Sequence, residues 1–125
     1  MDTKYLTEWI TIRLDTAVLS VTQSAAEWLD LHDYEDVTLT LEVAALSGAI
    51  TMNLETAATR QDSAFVPLVG AFAMATGVRV DAAPASLASF PLARFLRWRL
   101  TWPGGGAGAA DVTFRIVAAC HAPGA

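Results

Sequence analysis

Apolar and polar residues alternate with a period of two along much of this chain. Val37, Leu39, Leu41 and Val43 fall on one side, with Thr38, Thr40 and Glu42 on the other. Ile50, Met52 and Leu54 repeat the pattern against Thr51, Asn53 and Glu55. Successive side chains of a strand point to opposite faces, so each stretch predicts a strand with one buried and one outward face. Further strands are predicted at Glu8 to Leu14, where Ile10, Ile12 and Leu14 alternate with Trp9, Thr11 and Arg13, and more weakly at Val18 to Thr22. Ser47 and Gly48 form a turn that joins 37–43 to 49–56, and the spacing predicts that these two strands pair as a hairpin.

The second half of the chain continues in the same way. Phe65 to Phe72 holds a strand interrupted by Pro67, which suits a sheet edge or a bulge because proline cannot donate to the ladder. Met74 to Val80 brings a turn around Gly77 and another short strand. Ala82 to Pro91 reads as a loop, with a short helical turn at Ser86 to Ser89. Leu96, Trp98, Leu100 and Trp102 share one face of a strand from Arg94 to Trp102, and Phe95, Arg97, Arg99 and Thr101 take the other. Asp111 to Ala119 closes the chain, with Val112, Phe114 and Ile116 facing in and Thr113 and Arg115 facing out. No amphipathic helix of useful length occurs between these strands, which excludes a doubly wound α/β fold. The expected architecture is all-β: one domain over 1–125, an antiparallel β-sandwich of jelly-roll type with seven to nine strands.

Composition turns this scaffold towards contact with other molecules. Charged residues make up 17% of the chain, below the usual value of about 25%, although a small domain has much surface to solvate. Two accounts fit: neighbouring subunits cover part of the surface, or the 24 alanines raise the apolar fraction without needing burial. The net charge of −5 argues against a phosphate-tracking surface, so no nucleic acid is expected as partner. No run approaches the length of a membrane span, and the first ten residues lack the apolar core of a secretion signal. Cys120 is the single cysteine, so packing rather than disulfides must hold the fold.

Few residues offer chemistry. The run Gly104-Gly105-Gly106-Ala107-Gly108 lacks the Lys of a phosphate-binding loop and precedes a strand rather than a helix, so it reads as a hairpin tip. Asp30, Asp33, Glu35 and Asp36 are acidic but match no calcium-loop spacing. His32 and His121 have no metal-ligand partner at useful spacing. Catalytic residues, metals and cofactors are therefore not expected. Trp98 is assigned to the core among inward leucines, and Trp28 to an anchor. Trp9, Arg97, Arg99 and Arg115 are the interface candidates, because they lie on predicted outward faces. If their strands are neighbours, these arginines pair across strands with Glu42 and Glu55; otherwise one or more reaches a neighbouring subunit.

W-L-D-L at 28–31, V-T-L-T-L-E-V at 37–43, N-L-E-T at 53–56, F-V-P-L at 65–68 and A-R-F-L-R-W-R-L at 93–100 follow an order that resembles the discoidin or galactose-binding-like jelly roll. Sandwiches of this kind occur among phage virion accessory proteins. The resemblance implies a non-enzymatic structural subunit of a virion or phage-like particle, a head decoration or tail accessory protein made in the cytoplasm and docking through apolar sheet faces and loops. Its partners would be protein, by self-association or on a larger particle. The alternative is a carbohydrate-binding module that holds glycan on exposed aromatic side chains.

Overall fold

The alternating segments become strands that stack into two sheets. The computed structural model describes residues 2–32, 34, 36–84, 92–104 and 108–121. Nine strands run through them: β1 (Asp2–Asp15), β2 (Ser20–Thr22), β3 (Leu29–Asp30), β4 (Asp36–Ser47), β5 (Thr51–Ala57), β6 (Val66–Ala73), β7 (Gly77–Pro84), β8 (Phe95–Thr101) and β9 (Ala109–His121). The described residues contain no α-helix, only single 3₁₀ turns at Ala25–Glu27 and Asp62–Ala64. One sheet has the order β1-β9-β4-β7; the other has β2-β8-β5-β6, with β3 also pairing with β8. All pairings are antiparallel. The result is an all-β protein of packed antiparallel sheets, as the alternation predicts.

The core lies between the sheets. Val37, Leu39, Leu41, Val112, Phe114 and Ile116 enter it from one side, and Met52, Leu54, Leu96, Trp98 and Leu100 from the other. Trp98 and Phe114 meet edge to face across the gap, with ring centroids 5.2 Å apart, the geometry that the charge distribution of aromatic rings favours. The indole Nε1 of Trp98 is buried without a hydrogen-bond partner among the described residues, at a desolvation cost of about 1–3 kcal/mol. The thiol of Cys120 is buried, with Sγ 3.9 Å from the Ala118 carbonyl oxygen.

The expected hairpin of 37–43 with 49–56 does not form. β4 pairs with β7 on one edge and β9 on the other, so it has no edge left for β5. The chain instead crosses to the opposite sheet through Gly48 to Ile50. Gly48 has φ +92°, and a Cβ there would stand 2.7 Å from the Ala110 Cβ, so glycine fits both the left-handed backbone and the close approach. The inward residues of β4 and β5 therefore face each other across the core instead of sharing a face. The chain changes sheet at every connection except β2 to β3 and β5 to β6. Pro67 does lie on an edge strand, β6, beside a register shift opposite Leu54 and Glu55. The helical turn expected at 86–89 falls outside the described residues.

Candidate functional site

The two outer faces of the sandwich differ. On the five-stranded sheet, Glu55 of β5 and Arg97 of β8 are cross-strand neighbours. The segments around the two 3₁₀ turns fold over them, bringing Trp28 and Phe65 edge to face at 4.7 Å. Arg97 Cζ lies 3.9 Å from the Phe65 ring centroid and 5.3 Å from that of Trp28. Its Nε donates to Glu55 Oε1 at 2.9 Å, and its Nη1 donates to Asp62 Oδ1. Arg97 is only 6% exposed. Expected to point outward, it is roofed by residues from two distant loops, and its guanidinium is engaged within the chain. Arg99 reaches the other oxygen of Glu55, with Nε 3.4 Å from Oε2, and keeps 38% of its side chain exposed. At the rim, Arg94 donates to both oxygens of Asp30 at 2.9 Å. That bond, with a further one from the His32 amide, holds the Asp30 carboxyl below its ordinary pKa.

The four-stranded sheet has no such roof among the described residues. Its register sets Tyr5, Val117, Thr40 and Val80 in one cross-strand row, and Arg115, Glu42 and Val78 in the next. Arg115 Nε and Nη2 donate to the two Glu42 oxygens at 3.0 and 3.2 Å, forming the cross-strand pair that the outward positions anticipate. The Trp9 ring lies 4.9 Å from Arg115 Cζ, a cation–π contact that holds the indole on this face. Tyr5 and Trp9 are almost half exposed, and Val78 and Val80 are 68% and 61% exposed. Large apolar groups thus border a paired charge at the centre.

A cleft of about 370 Å³ adjoins this face at the β1 edge, lined by Tyr5, Thr7, Glu8, Trp9, Ile10 and Glu27 among others. It exists because β1 slips register twice against β9, between Tyr5 and Thr7 and between Thr7 and Ile10. Such bulges leave backbone groups outside the ladder, and one side chain compensates. Gln23 Nε2 donates to the Leu6 carbonyl at 2.6 Å and the Glu27 carbonyl at 3.1 Å, while its Oε1 accepts from the Trp98 amide at 3.3 Å. A single buried amide therefore ties the bulged edge of one sheet to the centre of the other. Sequence reasoning passes over Gln23, since a lone polar residue between two short segments carries no periodic signal.

Of the four interface candidates, Trp9 and Arg115 stand together on the bare face, while Arg97 and Arg99 share the Glu55 carboxylate on the opposite sheet. Among the described residues no three His, Cys, Asp or Glu side chains are grouped to hold a metal ion; Asp33 and Glu35 of the acidic loop, and residues 105–107 of the glycine-rich tip, lie outside them. No protein-family model, curated protein or solved structure matches this chain.

Proposed function

We propose that this chain is a non-enzymatic structural subunit, an accessory component of a virion or phage-like particle that docks through the outer face of the β1-β9-β4-β7 sheet. The observation that carries the reading is the contrast between the two outer faces: Trp28 and Phe65 roof one, while the other leaves Tyr5, Trp9, Val78 and Val80 bare. Exposed apolar groups around a paired charge are the makings of a contact surface. The strand order also supports the reading. With β2 and β3 taken as one interrupted strand, the order β1-β9-β4-β7 over β2-β8-β5-β6 is compatible with a jelly roll, an architecture used by capsid and lectin domains, although a fold alone does not fix a function. Many copies on a particle would let weak single contacts add through avidity.

The test is fractionation of the native source on a density gradient, with detection of this chain. A structural subunit travels with particles, and Trp9→Glu releases it while the thermal melt of the purified chain stays unchanged. A chain that stays at the top of the gradient, and is single-copy at high concentration, overturns the reading. The cleft at the β1 edge favours one other reading, glycan binding, because Tyr5 and Trp9 offer ring faces and Glu8 and Glu27 offer hydroxyl acceptors beside them. Saturable change of tryptophan fluorescence with a glycan, lost in Trp9→Ala and without particle association, would replace the first reading with the second.

A further inference from the structure

We infer that the cleft at the β1 edge holds a lysine side chain of the protein on which this chain docks. This assignment rests on reading the four-stranded face as the docking surface, to which Tyr5 and Trp9 of the cleft also belong. The bulges of β1 build the cleft. Leu6, Glu8 and Trp9 have no partner residue on β9, so they stand outside the regular ladder. Leu6 and Thr7 are 2% and 6% exposed and form the floor. Tyr5, Glu8, Trp9 and Glu27 are exposed and form the rim. The volume of about 370 Å³ lies near the lower end for ligand pockets.

The lining carries two carboxylates and no basic side chain. Neither Glu8 nor Glu27 has a side-chain partner among the described residues. Arg115, over the Trp9 ring, bonds both oxygens of Glu42, and Lys4, beside Tyr5 in the chain, lies over the Tyr34 ring at 5.7 Å. The floor gives a second, independent sign. Thr7 is buried and lines the cleft, yet its hydroxyl has no hydrogen-bond partner among the described residues. A buried hydroxyl without a partner costs free energy, which a donor seated in the cleft would recover. An ammonium group has three donors and no acceptor, and that matches two carboxylates and a hydroxyl oxygen. The apolar stem behind it would lie along the Tyr5 and Trp9 rings, with the charge drawn to their faces. Other ligands match less of the lining. A sugar brings no charge to balance the carboxylates, and a quaternary ammonium brings no donor for Thr7. A guanidinium forks onto one carboxylate in its own plane rather than onto acceptors around a point. The net charge of −5 adds long-range attraction for a basic partner.

The test titrates Nα-acetyl-lysine methylamide into the full chain at low salt and follows the amide chemical shifts of residues 5–10 and 27. Saturable shifts are expected there, weakening as salt is added. The same compound acetylated on its side-chain nitrogen keeps the stem and loses the charge, and should bind at least about fivefold more weakly. Glu8→Gln with Glu27→Gln should weaken binding about fivefold to tenfold. The thermal melt should not change, because both carboxylates are exposed and unpartnered. Thr7→Val keeps the shape and removes the hydroxyl. It should bind about threefold more weakly while the melt holds or rises, a combination that a purely structural threonine does not give. On the density gradient, the double glutamine variant should leave the particle fraction. No saturation with the lysine probe, equal binding of its acetylated form, or full affinity in the double variant overturns the inference. Saturation by a glycan in place of the lysine probe does the same. So does saturation by butylamine with particle association intact in the double variant, which assigns the cleft to free amines. Val78 is 68% exposed and lies outside the cleft. Particle association lost in Val78→Glu but kept in the double glutamine variant defeats this inference and leaves the docking face standing; association kept in both defeats the two together.

Discussion

Replacing Arg97 by methionine keeps an unbranched apolar stem as far as the Nε position and removes the charged guanidinium, and the structure sets the cost. The bond from Nε to Glu55 is charge-assisted, 2.9 Å long and buried at both ends, so its loss costs about 1.5–3 kcal/mol. The bond to Asp62 adds less than about 1 kcal/mol, because that carboxylate is 82% exposed and water replaces the donor. The guanidinium over Phe65 adds about 1–2 kcal/mol, of which a thioether against the same ring recovers part. Glu55 is then left buried with only Arg99, at 3.4 Å. The net loss comes to about 3–5 kcal/mol, the range for breaking a buried ion pair from one side. For a chain of this length that lowers the melting temperature by about 10–20 °C. Urea unfolding followed by tryptophan fluorescence measures it directly, since Trp28 sits against the network. Asp62→Asn, which removes the charge from the other carboxylate on the same arginine, should cost less than about 1 kcal/mol. Adding Glu55→Met to Arg97→Met should regain part of the loss, because no buried charge then remains. An Arg97→Met chain within about 1 kcal/mol of the parent, or an Asp62→Asn chain as damaged as Arg97→Met, would refute the claim that burial decides which bond matters.

Three further outcomes are expected. Gln23→Leu leaves the Leu6 and Glu27 carbonyls and the Trp98 amide without their side-chain partner; it should destabilise by about 2–4 kcal/mol and speed hydrogen exchange around the β1 bulges. Gly48→Ala should cost about 2–4 kcal/mol in thermal or urea unfolding, since the new Cβ meets both an unfavourable φ and the Ala110 methyl. Asp30 has a folded-state pKa held down mainly by Arg94, so the stability it contributes is present above its unfolded pKa and is lost as pH falls through the folded one. Both side chains are substantially exposed, so Asp30→Asn should flatten the acid limb of the stability curve by well under about 1 kcal/mol.

Alternation was the most readable signal, and it reports which way a side chain points. It therefore located β4, β5, β8 and β9 and named their inward residues, including Trp98 and Phe114. It does not say which sheet a strand joins. Residues 37–56 read as a hairpin because two alternating runs flank a Ser-Gly turn, yet β9, more than sixty residues further on, takes one edge of β4. The first strand begins earlier than its pattern suggests, at Asp2, because its bulges put Leu6 and Thr7 side by side in buried positions and break the period of two. On β8 the outward positions of Phe95 and Arg97 were legible, but their burial was not. For Arg97 it depends on Trp28 and Phe65, from segments about seventy and thirty residues away, and for Phe95 the Arg60 guanidinium lies over the ring; no local pattern encodes that roof. The cross-strand pairs Glu42–Arg115 and Glu55–Arg97 were readable as a conditional, since charges on facing outward positions pair once the strands become neighbours.

β9 is the last of these strands to be synthesised, yet it occupies an interior place in its sheet, between β1 and β4. While a ribosome still holds residues 109–121, β1 has no neighbour in that sheet, and the inner faces of β5 and β8 lack Val112, Phe114 and Ile116 to pack against. Native assembly of this sandwich must therefore wait until β9 emerges. Before then the nascent chain shows apolar strands with open edges, the state most open to capture by chaperones or by other unfinished chains.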